Sequence, residues 1–425
     1  MRDTGNSKSM KRLNRMTALN IIKENEPISR QQLAELTGLT PAAVTGIIRE
    51  LIDTGFVKEV GLGPSRGGRR PVKLKVNSDA GYVMGLEVTS KETAVAIADL
   101  KHTPRFIESV MLDMKEPCTG TAGLVETVRR IMAAPEHRKK KFVGIGIAFP
   151  ALLTAGEGRV KRAVNLGPEW NNFPVKEVLE TELGIPVFAE TNSKVAALGE
   201  KWFGGGRQCN NLIYVNLGEG ISAGILSKDD IVQGSLGHAG QIGHAIMIED
   251  GPLCNCGNRG CLEAICGIPA LLRKVGHELP FIDGGDALKR RIETRREIKI
   301  RDVLEAALEA DSYARDMLRQ VGRFAGLAIA NMINFYNPDE VFIGGRLAVA
   351  ADVYLEEMKS VIYSHAFPEV GRATRITVSQ LGADSGVIGA CALALRNLLK
   401  APDSDILDLQ REPSPKRRDK IYWNV

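Results

Sequence analysis

The sequence predicts an α/β protein in two parts, an N-terminal winged helix-turn-helix followed by a larger two-lobed body that carries a structural zinc knuckle. Three observations lead there. Positive charge is concentrated at the front: residues 1–76 hold 14 Lys and Arg against 7 Asp and Glu, while the whole chain balances 56 against 51. Beyond residue 80 the apolar pattern changes from helical spacing to strand runs such as YVMGLEV and FVGIGIAF. Within residues 237–263, finally, one imidazole and three thiols fall at a His-x9-Cys-x-Cys-x4-Cys spacing.

At 425 residues the chain exceeds what one core supports, and with 44% hydrophobic and 25% charged residues it has an ordinary globular composition. No apolar run approaches the roughly eighteen residues of a membrane span, and the start, MRDTGNSKSMKRLNRM, has no apolar signal core. A cytoplasmic protein without a membrane partner is expected.

Residues 1–76 read as the DNA-binding domain. Leu13, Met16, Leu19, Ile21 and Ile22 recur at helical spacing over 11–25 and stop before Pro27. Ser29 can cap a second helix to about residue 37 with Leu33 and Leu36 inward, and Gly38-Leu39 makes the turn. Thr40 caps a third helix that has Pro41 at its first position. Val44, Ile47, Ile48 and Leu51 form its buried stripe, and Pro41, Ala42, Thr45, Gly46 and Arg49 face outward. Strands over 56–60 and 71–76 around the basic loop GLGPSRGGRR complete the wing. In such a unit the last helix enters the major groove of double-stranded operator DNA. The candidate contacts are Gln31, Thr40, Ala42, Thr45 and Arg49, with Arg66, Arg69 and Arg70 at the wing tip. Guanidinium groups there suit a narrow minor groove, although any one of them alone reads as a solvated loop charge. Operators read this way have two half-sites, so a homodimer or homotetramer is expected.

From Tyr82 the order strand, turn, strand and then alternating strand and helix fits the ribonuclease-H-like half of an actin-type fold, with a helical interval near 121–134. A first lobe over 77–190, completed by 384–400, and a second over 191–383 are expected. Residues 276–316, rich in Arg, Glu and Asp, read as a charged loop and a solvent-facing helix. Residues 401–425 lose apolar pattern and are expected to be disordered. No internal repeat is visible.

His244, Cys254, Cys256 and Cys261 suit Zn²⁺, which takes four tetrahedral nitrogen and sulfur ligands; with all four supplied by protein, no position is left for an activated water and the site is structural. A buried thiol cluster and a disulfide are the competing readings. The remaining Cys118, Cys209, Cys266 and Cys391 are expected to be small buried residues.

With its Gly-His before and Cys-Leu-Glu after, this cysteine stretch resembles the signature of the ROK family, which comprises repressors, open reading frames of unknown role and sugar kinases. The resemblance spans about residues 11–398 and implies a sugar-kinase-like body of the actin/hexokinase type. Family kinases place an Asp-x-Gly-Gly-Thr-like loop after the first strand, and here Glu87, Val88, Thr89, Ser90 and Lys91 stand there, without either glycine. A second phosphate loop resembles residues 217–224, with Glu219 in the threonine position, and Phe342 to Leu347 resemble the adenosine-side turn. The kinase Glu-Asn-Asp-Ala-Asn corresponds to Glu190, Thr191, Asn192, Ser193 and Lys194, so that Asn192 replaces the general base. The resemblance thus implies a non-enzyme: a transcriptional regulator, most simply a repressor, that responds to a sugar, sugar phosphate or sugar acid. It implies an effector ring of Asn192, Gln241, His244 and Glu263, joined by Asn165; for Asn165 and Trp170 an ordinary loop anchor is the alternative. The amides Asn192 and Gln241 stand where the family has carboxylates, which favours an anionic ligand; drift after loss of catalysis is the alternative. A sugar kinase with a DNA-binding appendix is the second reading, and a scaffold regulated by a protein partner is a third.

Overall fold

The computed structural model describes residues 5–64, 70–101, 104–163, 166–228, 230–282, 284–293 and 298–400. Its first unit contains α1 (Gly5–Asn25), β1 (Ile28–Ser29), α2 (Arg30–Thr37), α3 (Pro41–Asp53), β2 (Val57–Leu62) and β3 (Val72–Val76). A capping box starts α2: the Ser29 hydroxyl accepts from Gln32 N, while Ser29 N donates back to Gln32 Oε1. Gly38 ends it at φ +68°, a left-handed conformation that glycine adopts without strain. Val44, Ile47, Ile48 and Leu51 of α3 are buried as expected. Leu36 is not: it is 57% exposed. The inward edge of the short α2 runs through Leu33 and Ala34 toward Thr37, whose hydroxyl bonds back to Leu33 O, and Leu36 falls outside it. The three short strands form a wing in the order β1-β3-β2.

The body begins with β4 (Tyr82–Val88), β5 (Glu92–Asp99), β6 (Arg105–Met111), α4 (Pro117–Ala133) and β7 (Phe142–Phe149). It continues with β8 (Leu152–Leu153), β9 (Val160–Arg162), α5 (Val175–Leu183), β10 (Val187–Thr191) and α6 (Asn192–Phe203). Next come β11 (Asn211–Leu217), β12 (Ile221–Ser227), β13 (Asp230–Ile231), α7 (Leu262–Cys266), α8 (Ile268–Glu278) and α9 (Asp286–Glu293). The chain then forms α10 (Ile300–Leu308), α11 (Ser312–Tyr336), β14 (Glu340–Gly344), α12 (Ala351–His365), α13 (Pro368–Ala373), β15 (Arg375–Val378) and α14 (Ser385–Lys400).

Two five-stranded sheets result, ordered β10-β7-β4-β5-β6 and β13-β12-β11-β14-β15. Each has one strand, β4 or β11, that is antiparallel to the next strand in sequence and parallel to a later one. The sheets are topological copies, a repeat the sequence does not display. Two helices lie between them: α6 packs on β11 and β12, and α14 packs on β4, β7 and α6. Small residues permit the contact. A Cβ at Gly146 of β7 would meet Ala390 O at 1.8 Å, and one at Gly389 of α14 would meet Val195 O at 2.0 Å.

The wing unit joins this layer. Ala18, Leu19 and Ile22 of α1 belong to the same buried cluster as Leu198 and Phe203 of α6 and Leu395 and Leu398 of α14. Lys23 Nζ stands 5.2 Å from the centre of the Phe203 ring, and Lys101 pairs with Glu26, whose other carboxylate oxygen accepts from Val76 N.

Two further expectations change, and the open reading of Trp170 closes on the loop anchor. Residues 276–316 hold packed helices rather than a loop: Leu288, Ile300, Val303, Leu304, Ala306 and Ala307 are buried, and the charges pair outside, Arg291 with both Glu305 and Glu309. Cys118 is exposed in the first turn of α4, whereas Cys209, Cys266 and Cys391 are buried. Trp170 is fully buried against Phe149 and Phe173, and its ring N–H donates to Met114 O at 2.7 Å, so it anchors the first lobe's core and does not face a ligand. Among the described residues no helix is long and apolar enough to cross a membrane. The tail at 401–425 lies outside the described residues.

Two alanine substitutions should act in opposite directions. Gly146→Ala places a methyl against the α14 backbone and should destabilise by about 1–3 kcal/mol or more. At the exposed mid-helix Gly46 a Cβ meets nothing within 4 Å, and alanine there should stabilise the wing unit by about 0.5–1 kcal/mol. Denaturant titration of both variants measures the difference.

Candidate functional site

On the wing unit, Gln31, Thr40, Ala42, Thr45 and Arg49 are all exposed, so α3 offers the face anticipated for a recognition helix. Both threonine hydroxyls are engaged internally, Thr40 accepting from Ala43 N at 3.3 Å and Thr45 donating to Pro41 O at 2.8 Å. What α3 shows outward is therefore mostly methyl groups and the Arg49 guanidinium. Gln31 bonds Glu35 along α2. The wing is tied to α2 by Arg30–Glu59 at 2.8 Å and by Lys73 to Gln32 at 2.8 Å. Arg70 is exposed at the foot of β3, while Arg66 and Arg69 lie outside the described residues.

His244 ends a 3-10 turn that begins at Ile242, and the chain returns through an antiparallel bridge between Ile246 and Cys261. Between them Cys254 N bonds Asn258 O and Gly257 N bonds Cys254 O, folding the cysteines into a knuckle. Gly260 closes it at φ +71°, where a Cβ would strike Ile248 O at 1.6 Å. The ligand atoms of His244, Cys254, Cys256 and Cys261 all lie within 4.8 Å of one another. His244 Nδ1 is 3.6 Å from Cys254 Sγ, and Cys256 Sγ is 3.7 Å from Cys261 Sγ, well beyond a disulfide bond. Burial pushes the Cys261 thiol up to about 12, with the neighbouring sulfurs adding to the effect, so clustered thiolates here require a cation. The four residues form a donor set able to hold a metal ion.

The cleft residues are positioned by α6 and by the segment between β13 and the knuckle. Asn192 is the first residue of α6; its Nδ2 donates weakly to Val88 O at 3.4 Å, and its buried Oδ1 has no partner. Gln241 immediately precedes the 3-10 turn that carries His244. Glu263 in α7 accepts from Ile221 N at 2.9 Å, so one of its oxygens holds the start of β12. Asn165 lies outside the described residues.

Two groups were not anticipated. Lys194, 1% exposed, donates to Gly237 O at 2.6 Å and Gln233 Oε1 at 2.7 Å and sits 3.5 Å from Glu190 Oε1, while Gln233 Nε2 donates to Glu190 Oε2 at 2.7 Å. Burial lowers the Lys194 pKa and Glu190 opposes the shift. His238 has a buried Nε2 without a partner, and burial together with the Lys194 and Lys161 charges holds its imidazole below the usual range. The lysine at 194 was visible in the sequence, but nothing local marked it as buried.

The β4–β5 turn, which the sequence resemblance equates with a kinase phosphate loop, is closed on itself. Thr89 N bonds Glu92 O, and the Thr89 hydroxyl accepts from the amides of both Lys91 and Glu92. Glu87, half-buried near the end of β4, accepts from Val387 N and is pushed up to about 7, chiefly by desolvation. Across the cleft Glu219 pairs with Arg346 at 3.5 Å.

Comparison with known proteins accords with this architecture. Residues 83–397 match the ROK family model, and residues 12–58 match a winged helix-turn-helix DNA-binding model. The chain is 30% identical over 406 residues to the xylose repressor of Caldicellulosiruptor bescii, covering 94% of this chain and 99% of that one. It is 29% identical over 395 residues to the DNA-binding transcriptional dual regulator NagC of Escherichia coli, covering 93% and 95%. Among solved structures, a ROK family transcriptional regulator described as a homolog of the E. coli MLC protein superposes with TM-score 0.79 at 26% identity, covering 94% of this chain and 98% of that one. A ROK glucokinase from Streptomyces griseus shares the fold of the body at TM-score 0.63 and 24% identity, covering 74% of this chain and 99% of its own. The chain belongs to the ROK family, with a winged helix-turn-helix joined to a sugar-kinase-like α/β body.

Proposed function

We propose that this protein is a sugar-responsive transcriptional repressor that binds operator DNA through α3 and the wing and is released when a sugar or sugar derivative enters the cleft beside Asn192. The observation that carries the reading is the combination, in one chain, of an exposed recognition helix with a kinase-like cleft whose phosphate-receiving turn is closed. Repressors and a DNA-binding regulator among the relatives, aligned over nearly their whole length, support it.

The body is not a working kinase. Phosphate cradles need free backbone N–H groups, and the amides of Lys91 and Glu92 are taken by Thr89. The second loop puts the Glu219 carboxylate, paired with Arg346, where a γ-phosphate would approach. An amide at Asn192 has almost no basicity, and general-base help is typically worth about 10²–10⁴-fold.

The knuckle holds structural zinc. A tetrahedron with metal–sulfur bonds of about 2.3 Å has edges of roughly 3.7–3.8 Å, and the sulfur–sulfur and sulfur–nitrogen separations of 3.7 and 3.6 Å fit it. Zinc there would stiffen the segment that carries Gln241 and His244.

Operator binding in the presence of xylose, N-acetylglucosamine or its 6-phosphate tests the whole reading, and release by at least one sugar is expected. With ATP and hexoses in a coupled assay, turnover should stay below about 1 s⁻¹, and faster turnover would make the protein a kinase with a DNA-binding appendix. Cys256→Ser should lose the metal and lower the thermal midpoint, and a full zinc complement in that variant would remove Cys256 from the ligand set. Arg49→Ala and Arg70→Ala should each reduce the slope of log affinity against log salt by about one; an unchanged slope would return that arginine to the solvated surface.

A further inference from the structure

Lys194 is the most deeply buried charge near the cleft, and its surroundings are unusual for a lysine. All three of its protons face acceptors, and the acceptors come from different segments: Glu190 at the end of β10, and Gln233 and the Gly237 carbonyl from the loop after β13. Gln233 closes the ring by donating to the second oxygen of Glu190. The same loop is fixed from within by Ala239 N to Gln233 O at 3.0 Å, and Gly240 O accepts from Ala223 N at 2.7 Å. It crosses to the other lobe at Gly237, where a Cβ would stand 3.1 Å from Leu153 O and 3.2 Å from the Ala155 methyl. Beyond the clamp the loop carries His238 and Gln241 and leads into His244.

Buried ion pairs are weak sources of stability, because desolvation offsets much of their attraction and apolar replacements of similar volume often fold as well. What such a pair supplies is geometry. Here the geometry concerns one loop, and on either side of the clamp a buried polar atom, Asn192 Oδ1 and His238 Nε2, has no protein partner. Both atoms suit a ligand hydroxyl.

We propose that Lys194 is the positioning residue of the effector cleft, its buried ammonium fixing the 233–241 loop to the first turn of α6 so that His238 and Gln241 face the ligand in one arrangement. The proposal rests on the sugar-binding reading of the cleft. It assigns Lys194 to effector affinity rather than to folding or to operator affinity.

The test uses the full-length protein with Lys194→Met and with the charge-neutral pair Lys194→Met/Glu190→Gln, which keeps the volume filled and leaves no lone buried carboxylate. In the ligand-free state, hydrogen exchange at the amides of Gly237 and Ala239 should accelerate at least about tenfold in the double variant, with β14 amides unchanged. The sugar concentration that half-releases operator should rise at least about tenfold, while operator affinity without sugar stays within about twofold. Unaltered loop exchange in the double variant overturns the clamp. Faster exchange with an unaltered release concentration overturns the positioning role, as does an equal loss of operator affinity. Failure of every sugar to release the wild-type protein would sink the sugar reading instead, and loop exchange would still decide the clamp.

Discussion

The contact between α6 and α14 is the constraint on which the rest of the molecule depends. Each helix follows the last parallel strand of one sheet and packs against the other sheet, so the two lobes cannot separate without breaking the helix pair. The approach is close enough that backbone meets backbone, which only glycine permits at Gly199 and Gly389. Interiors packed to this density transmit displacement rather than absorb it. Asn192 is the first residue of α6 and Phe203 the last, so the cleft and the seat of the wing unit are the two ends of one rod about 18 Å long. At the far end Lys23 stands over the Phe203 ring, a contact worth about 0.5–2 kcal/mol depending on desolvation.

Around that rod, several buried polar groups tie segments together. Glu200, wholly buried in α6, bonds Gly205 N and Ser379 and thereby joins the end of α6 to the loop after β15. The Tyr214 hydroxyl reaches Ser385 at the start of α14, occupying space that only a glycine at 344 leaves open. Glu263 holds β12 from α7, one turn away from the knuckle cysteines. Glu200, Tyr214 and Glu263 each have a partner, since an unpaired buried group costs about 1–3 kcal/mol. Asn192 Oδ1 and His238 Nε2 lack one, as do Thr93 Oγ1 and Tyr354 OH.

Much of this was legible in the sequence where a local rule decides the structure. Capping chemistry marked the starts of α2 and α3, proline and glycine placed the ends of α1 and α2, and ligand spacing marked the knuckle, because all of these act within a few residues. The misreadings share the opposite character. Trp170 stayed between a ligand contact and a loop anchor because its partner, Met114 O, lies 56 residues away. Residues 276–316 looked solvated because their charges dominate the composition, yet α9 and α10 bury one apolar stripe each, and Arg291 neutralises two glutamates outside. Leu36 shows that in a helix of two turns a single residue of phase separates core from solvent. The duplication of the sheets left no trace in sequence because strand order, not side-chain identity, is what the halves share.

On the proposed reading, loss of catalysis and retention of binding are compatible. Phosphoryl transfer needs a base, a free amide cradle and room for a triphosphate, three requirements that are independent in physical origin. With these positions placed by the family resemblance, the first is replaced by the amide of Asn192, the second is consumed by the Thr89 hydroxyl, and the third is occupied by the ion pair of Glu219 with Arg346. None of these changes removes a hydrogen-bonding atom from the side that faces a sugar: an amide still offers an acceptor and two donors. A sensor requires only that binding shift a conformational balance by its differential affinity for the two states. On the proposed reading, a site relieved of transition-state chemistry can commit its contacts to that difference, and one of them, Asn192, stands on the first turn of the helix whose last turn seats the wing unit.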